Sequence, residues 1–343
     1  MLKDENKLIN KNLSMKSEDL QIFKLTNASG TELEILNLGA TVFSLKLKNG
    51  NGKFINVVVG PKNKEDYLSE AYLQENMCFG ASIGRYAGRI SEGKFELDND
   101  KFQLYQKDGV HLHGGKVGLQ HKIWEVMSQT TGEDPSIILT CFSIDGEEGY
   151  PGNIKVEVRY ILTEENELKI KYSAESDKST ILNLTNHTYF NLNGKGSVEN
   201  HELQINASKI LDVDSKLRPT GNFKELHSDL KNFSTSKQIE NIQVDDTFIL
   251  DKTKDVAARV YSKRSKLEMV LITDQPAVVT FIPKRLPSHW EYSTEISERF
   301  PSFCLEAQNF PDAPNHENFP TSVLKPGEKY WNRSTFQFKI IKE

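Results

Sequence analysis

Strand-length runs of apolar residues, or of apolar residues alternating with polar ones, are the dominant pattern in this chain. The clearest runs are residues 57–59, 137–142, 155–162 and 168–172. Successive side chains of a β-strand point to opposite faces, so such runs predict strands. Clusters of Gly, Asn and Pro predict tight turns between them, and residues 163–167 predict a hairpin connection. The clusters are 49–52, 146–152 and 193–196.

Helical periodicity is scarce, and it indicates at most a helix over residues 63–72 and a helical turn over 223–226. The chain has no internal repeat of fixed period and no Pro/Ser-rich linker. We therefore predict an all-β fold, with one large antiparallel β domain over 21–343 after a polar tail over 1–20. Two smaller sandwiches are the alternative, because 343 residues also suit two domains.

Composition restricts the function classes. Charged residues make up 27% of the chain and the formal net charge is −5, which argues against a nucleic-acid partner. No run of 18 apolar residues predicts a membrane helix, and residues 1–19 lack the apolar core of a signal peptide. The three cysteines are far apart, so neither a disulfide framework nor a Cys-x-x-Cys metal pair is expected. A reducing cytoplasm is the expected location. The cysteines are Cys78, Cys141 and Cys304.

One short segment, residues 183–192, concentrates side chains that form hydrogen bonds. As a strand, it would carry on one face Asn183, Thr185, His187, Tyr189 and Asn191. A wholly polar face around a histidine suits a cleft for a hydroxyl-rich ligand better than a dry core. Histidine also exchanges protons near neutral pH. A solvated sheet face with a chance histidine explains this segment equally well.

The other histidines are assigned by their surroundings. His111 and His113 share one face of a strand that ends in two glycines. This is a metal-ligand spacing, but no Cys or carboxylate cluster lies beside it, so we expect no metal. The histidines in polar, loop-like surroundings are expected at the surface, and His289 is undecided. The expected surface histidines are His121, His201, His227 and His316.

A carboxylate near the C-terminus is the best candidate for a general base. Glu306 and Gln308 share a face if a strand begins before the prolines that follow. Small and apolar neighbours favour partial burial of Glu306, and burial raises the pKa of a carboxyl group toward neutrality. The alternative is an edge-strand glutamate in a salt bridge.

Two further segments carry candidate binding residues. Arg85 and Arg89 fall on one face, and their guanidinium groups suit sugar hydroxyls or carboxylates, although a structural ion pair is the better interpretation for one of them. Asp245 and Asp246 point in opposite directions on a strand, so only one can face the same site. Phe281 offers an aromatic face to a sugar ring, although core packing is the commoner use.

In this order, the segments resemble the aldose 1-epimerase (galactose mutarotase) family. The matching motifs are Gly-Arg-Tyr-Ala-Gly-Arg-Ile at 84–90, Leu-His-Gly-Gly at 112–115, Asp-Gly-Glu-Glu-Gly-Tyr-Pro-Gly at 145–152, the whole of 183–192, Leu-Glu-Ala-Gln at 305–308 and Pro-Asp-Ala-Pro-Asn at 311–315. The resemblance implies a large, mostly antiparallel β-sandwich with a sugar cleft across one sheet. It also implies interconversion of the α and β anomers of free aldohexoses such as galactose and glucose, without a cofactor.

The resemblance implies roles for individual residues. Glu306 matches the general base, His187 the general acid and His113 a second site histidine. Arg89 and Asp245 match residues that contact sugar hydroxyls. The further residues predicted to bind the substrate are Arg85, Tyr189, Gln308 and Phe281. Two positions depart from the family pattern, Gly88 where Asn is frequent and Asp246 where His is frequent, and both bear on substrate preference.

Three other functions are weighed. A glycoside hydrolase normally uses two carboxylates, whereas the best pair here is a carboxylate and a histidine. A phosphosugar epimerase of the same fold needs a basic pocket, for which Lys284 and Arg285 are the candidates. A non-catalytic sugar-binding module could use the same cleft without the acid–base pair. The expected partner is a small sugar, not nucleic acid or a membrane, and the chain is expected to be a monomer or weak homodimer.

Overall fold

The structure of the chain is a computed structural model, which describes residues 15–227 and 229–342. These residues form twenty-eight strands. The first fourteen are β1 (Ile22–Thr26), β2 (Glu32–Leu36), β3 (Thr41–Lys48), β4 (Phe54–Asn56), β5 (Val58–Val59), β6 (Ser82–Ile83), β7 (Arg89–Ser91), β8 (Lys94–Leu97), β9 (Asp100–Gln103), β10 (Val110–Leu112), β11 (Glu125–Gln129), β12 (Ser136–Ser143), β13 (Ile154–Leu162) and β14 (Glu167–Ser176). The others are β15 (Thr180–Ile181), β16 (Thr185–Asn186), β17 (Tyr189–Phe190), β18 (His201–Ile205), β19 (Lys209–Val213), β20 (Pro219–Glu225), β21 (Lys237–Gln238), β22 (Val244–Ile249), β23 (Ala258–Ser262), β24 (Leu267–Thr273), β25 (Ala277–Ile282), β26 (Phe303–Gln308), β27 (Val323–Leu324) and β28 (Tyr330–Ile340).

Helical structure in the described residues is limited to one short α-helix, α1 (Glu70–Glu75), and five 3₁₀ turns. The predicted helix over 63–72 is instead a 3₁₀ turn followed by α1, with Ser69 between them as the N-cap. The predicted helical turn over 223–226 is wrong, because most of this segment belongs to β20. The 3₁₀ turns are Ser17–Asp19, Lys64–Leu68, Leu119–His121, Glu147–Gly149 and Ala313–Asn315.

Two large sheets confirm the prediction of an all-β, mostly antiparallel sandwich. A nine-stranded sheet has the order β11-β12-β13-β14-β28-β24-β23-β18-β21, and a seven-stranded sheet has the order β20-β19-β22-β25-β26-β17-β5. The core lies between them, where Phe190 of the seven-stranded sheet contacts Phe336 of the nine-stranded sheet at 5.3 Å between ring centroids. The predicted hairpin at 163–167 joins β13 and β14. No helix in the described part of the chain is long and apolar enough to span a membrane.

The strand β26 lies inside the seven-stranded sheet, and all six of its residues are buried. Alternate side chains, including those of Leu305 and Ala307, enter the core between the sheets. The side chains of Cys304, Glu306 and Gln308 therefore point to the other face, as expected for a period of two. On β26 the outer face therefore carries the polar side chains, whereas the inner face carries only apolar ones.

The segment 183–192 does not form the continuous strand that its composition predicts. It is divided between β16, which pairs with β6, and β17, which pairs with β5 and β26. The polar side chains of Asn183, Thr185 and Asn191 are buried and donate to backbone carbonyl oxygens. The prediction of a wholly polar face open to a cleft is therefore wrong for these three residues, which connect segments of backbone.

Two of the four histidines expected at the surface are buried. His121 and His201 are 4% and 0% exposed, and His201 accepts a hydrogen bond from the Leu192 N–H at 3.2 Å. His316 is partly buried beside Asp312, whereas His227 is exposed, as is the undecided His289. Of the predicted tail, residues 1–14 lie outside the described part, and Leu20 at its end is buried in an apolar cluster.

Candidate active site

A cleft on the outer face of the seven-stranded sheet brings together eight of the nine predicted site residues. They are Glu306, His187, His113, Arg89, Asp245, Tyr189, Gln308 and Phe281. The strand register explains much of this clustering. Asp245 of β22 lies opposite Phe281 of β25, Phe281 lies opposite Cys304 of β26, and Cys304 lies opposite Tyr189 of β17. Side chains in one row across a sheet share a face, so residues far apart in sequence meet here.

Glu306 and His187 are in contact at the floor of the cleft. The distance from His187 Nε2 to Glu306 Oε1 is 3.5 Å, and the two side chains are 7% and 3% exposed. The His187 ring stacks on Tyr189 at 5.0 Å between centroids, and the Tyr189 hydroxyl donates to the Met77 carbonyl at 2.7 Å. Among the described residues, Glu306 Oε2 has no hydrogen-bond partner. The pair is therefore positioned by packing, with one carboxylate oxygen left to a ligand.

Burial shifts both titrations of this pair toward the neutral forms. It raises the pKa of Glu306 well above its usual value, an effect that Asp245 strengthens and Arg89 opposes. Burial also lowers the pKa of His187 to about 4. Burial therefore favours a protonated Glu306 beside a neutral His187. Transfer of this proton to His187 creates a base and an acid in contact with each other.

His113 is fixed as a neutral donor by its exchange of hydrogen bonds with Gly88. The Gly88 backbone N–H donates to His113 Nδ1 at 3.2 Å, and the backbone N–H of His113 donates to the Gly88 carbonyl at 3.0 Å. Since Nδ1 accepts, the ring proton is assigned to Nε2. Burial, with His187 and Arg89 nearby, holds the pKa of His113 well below its usual value. Its ring centroid is 5.5 Å from that of His187.

Arg89 and Asp245 form a half-buried ion pair in the cleft, with 3.4 Å between Nη2 and Oδ2. Burial raises the pKa of the Asp245 carboxyl group, and the Arg89 charge opposes this shift. A guanidinium beside a carboxylate offers donors and acceptors side by side, as vicinal hydroxyls require. Gln308 adds an acceptor, because its Oε1 is buried without a hydrogen-bond partner among the described residues.

Arg85 is the predicted site residue that does not line the cleft. It is 2% exposed, and it donates to Ser143 Oγ at 2.8 Å and to the carbonyls of Ile144 and Pro151 at 2.7 and 2.9 Å. The expectation that Arg85 binds substrate is therefore corrected. Its guanidinium connects motif 84–90 to motif 145–152, which is a structural role.

The remaining charged and histidine candidates lie outside the cleft. His111 is fully buried, with Nδ1 2.6 Å from the Tyr105 carbonyl and Nε2 2.5 Å from the Tyr150 hydroxyl. Lys284 and Arg285 are exposed and do not line the cleft. Within residues 15–227 and 229–342, no group of three or more His, Cys, Asp or Glu side chains could hold a metal ion.

Only one of the two departures from the family pattern lies in the cleft wall. Gly88 has a φ of +80°, and a Cβ there would come within 2.8 Å of Pro311 Cγ. Asp246 instead forms an ion pair with Lys231 at 2.6 Å, on the side of β22 away from the cleft. The side chain of Asp246 therefore does not reach the cleft.

Several cleft residues were not identified from the sequence. Thr247 and Val279 lie two positions from Asp245 and Phe281 on the same strands, so strand alternation could have found them. Asn76 follows α1, and Leu217 lies in the turn between β19 and β20. Turn residues have no periodicity, so no sequence signal marked either of them.

Comparisons with known proteins agree with this geometry. The family model described as aldose 1-epimerase matches residues 21–337. The galactose mutarotase of Bos taurus is 36% identical over 321 residues, which cover 90% of this chain and 91% of that protein. The aldose 1-epimerase of Escherichia coli K12 is 32% identical over 344 residues, covering 95% and 97%.

Solved structures agree as well. The crystal structure of galactose 1-epimerase from Lactobacillus acidophilus matches with a TM-score of 0.82 and 30% identity, covering 95% of this chain and 96% of that one. An aldose epimerase homologue from C. elegans matches with a TM-score of 0.86 and 26% identity, covering 94% and 100%. A family model that spans almost the whole chain, together with relatives above 30% identity, establishes that this chain belongs to the aldose 1-epimerase family.

Proposed function

We propose that the protein interconverts the α and β anomers of free aldohexoses such as galactose and glucose. The observation that carries this proposal is the buried contact between Glu306 and His187 at 3.5 Å. Anomer exchange requires one proton to leave the C1 hydroxyl and one to reach the ring oxygen. A carboxyl group and an imidazole that share a single proton provide both functions.

The reaction proceeds by opening and closing the ring. Glu306, as the carboxylate, takes the proton from the C1 hydroxyl while the bond from C1 to the ring oxygen breaks. His187 gives its proton to the ring oxygen, which leaves an aldehyde at C1. The bond between C1 and C2 rotates, and the ring closes on the other face as both proton transfers reverse. The pair holds one proton throughout, and each transfer is worth about 10² to 10⁴ in rate.

The neighbouring groups have supporting roles in this proposal. His113 donates from Nε2 to oxygen atoms on which negative charge develops during opening. Arg89 and Asp245 bind hydroxyls elsewhere on the ring, and Phe281 covers an apolar face of the sugar. Arg89 is the only Lys or Arg among the described residues that line the cleft, and it is paired with Asp245. This pairing favours a neutral sugar over a phosphorylated one.

Replacement of the acid and the base tests the proposal. Glu306→Gln resembles the protonated carboxyl group in shape but cannot act as a base, so mutarotase activity should fall at least about 100-fold. His187→Asn should lose most activity and still bind galactose, because Arg89 and Asp245 are untouched. Polarimetry with α-galactose measures activity, and thermal unfolding confirms that each variant is folded. Near-native rates in folded Glu306→Gln would contradict the assignment.

We also propose that the protein is a cytoplasmic monomer or weak homodimer. Its cysteines Cys78, Cys141 and Cys304 are buried and unpaired, as suits a reducing compartment. Light scattering after size-exclusion chromatography would test the oligomeric state, and a stable tetramer would contradict it.

A further inference from the structure

Asn76 offers an unused amide at one end of the cleft. It follows the last residue of α1 in the left-handed conformation, with a φ of +48°, and it is half-buried. His121 Nε2 lies 3.4 Å from its Oδ1 atom, and the Cys78 thiol lies 3.3 Å from Oδ1 and 3.4 Å from the Asn76 carbonyl oxygen. Because Oδ1 accepts from these groups, the Nδ2 amino group remains for a ligand, and no described residue accepts a hydrogen bond from it.

His121 is well placed to hold this orientation. It is 4% exposed, packs edge-on against Tyr72 at 6.3 Å between centroids and has no hydrogen-bond partner for Nδ1 among the described residues. Burial lowers the pKa of His121 to about 4, so the ring is neutral and carries a single N–H. The contact with Asn76 assigns that N–H to Nε2.

The order of strands shows which part of a sugar Asn76 would meet. Across the seven-stranded sheet, Asp245 lies on β22, Glu306 on β26 and the His187–Tyr189 pair at β17. Asn76 lies on the β17 side of the cleft, because the carbonyl of the neighbouring Met77 accepts from the Tyr189 hydroxyl at 2.7 Å. Asp245 and Asn76 are therefore at opposite ends of the cleft, with the acid–base pair between them.

The role of Asn76 rests on the proposed anomer exchange, which places C1 of the sugar at Glu306 and the ring oxygen at His187. Moving from C1 through the ring oxygen leads to C5 and its hydroxymethyl group. We propose that Asn76 is a further substrate-binding residue, which donates from Nδ2 to the C6 hydroxyl of the hexose, and that His121 is the positioning residue that orients the Asn76 amide. The C2 and C3 hydroxyls then lie toward Asp245.

Two substrates that differ only at C6 test this assignment. Galactose has the C6 hydroxyl and 6-deoxygalactose lacks it. Asn76→Gly removes the amide and keeps the left-handed backbone free of strain. For galactose, kcat/KM should fall fivefold to tenfold, about the value of one hydrogen bond, mainly through a higher KM. For 6-deoxygalactose, kcat/KM should change less than twofold.

The controls separate binding from folding. Asn99 also has a left-handed backbone, with a φ of +70°, in the exposed turn between β8 and β9. Asn99→Gly should therefore leave both substrates unaffected. His121→Phe keeps an aromatic ring and removes the donor, so it should reproduce the loss on galactose alone. His121→Gln restores a donor near the position of Nε2 and should recover most of that loss.

The outcomes are distinct. An equal loss on both sugars in Asn76→Gly would show a structural role and overturn the assignment, as would no loss on either sugar. Full activity of His121→Phe on galactose would overturn the positioning role. If the unaltered protein fails to exchange the anomers of either sugar, the proposed function itself is wrong. Loss on galactose alone, with recovery in His121→Gln, supports the inference.

Discussion

Asp245 and Arg89 carry the two charges that act on Glu306. Removing either charge by itself should move the alkaline limb of the pH profile of kcat/KM, and the two removals should move it in opposite directions. In the proposed mechanism the active form holds one proton on the pair of Glu306 and His187, so activity is expected to fall at high pH when this proton is lost. Asp245 raises the pKa of Glu306 and Arg89 lowers it. Asp245→Asn should therefore lower the pKa of Glu306 and shift the limb to lower pH, whereas Arg89→Gln should shift it to higher pH.

The size of the shift follows from the sheet geometry. One strand, β25, separates β22 from β26, and Glu306 lies two residues along β26 from the row that contains Asp245. Strand spacing of about 4.8 Å and a rise of about 3.4 Å per residue place the two carboxyl groups about 12 Å apart. At an effective dielectric constant of about 20, unit charges at this distance interact by about 1.4 kcal/mol. This energy corresponds to about one pH unit.

The assay is polarimetry with α-galactose over a range of pH, after subtraction of the spontaneous reaction. Arg89 and Asp245 are proposed to bind the sugar, so the height of the profile will fall in both variants and the position of the limb is the readout. Asp246→Asn is the matched control, because Asp246 is paired with Lys231 and does not line the cleft. A limb that stays fixed in Asp245→Asn, or moves the same way in both variants, would refute the reasoning.

Three further outcomes are expected. Arg85→Met should lower the free energy of unfolding by at least about 3 kcal/mol in urea titrations, because it leaves several buried acceptors unpaired, and it should change the KM for galactose little. Glucose 6-phosphate should have a kcat/KM at least about tenfold below that of glucose, since Arg89 is already paired; equal values would contradict this. A partly exposed ion pair joins Glu92 to Arg218, the residue that follows Leu217 of the cleft lining. Glu92→Gln should therefore raise KM by about twofold to fivefold, and high salt should raise the KM of the unaltered protein but not of this variant.

The class of the fold, and most of the residues that meet in the cleft, could be predicted from the sequence. Alternating runs such as 155–162 specify strands locally, because their side chains fit a surface with one buried face. Glu306 and Gln308 are separated by one residue, which was enough to place both side chains on one face of a strand. The motifs around His187 and Arg89 indicated the family by their resemblance to it. The inferences about strands and faces use short-range periodicity, which a single chain segment contains in full.

Among residues of the same type, only the tertiary structure decided which ones line the cleft and which are buried elsewhere. Arg85 and Arg89 lie in one motif, but Arg85 is buried because its acceptors at 143–151 are brought to it by distant strands. His121 is buried although its sequence neighbours are polar, because Tyr72 packs against it from another part of the chain. Asn76 carries no periodic signal and reaches the cleft only through its turn. Each of these outcomes depends on contacts between residues far apart in sequence, which periodicity and composition do not encode.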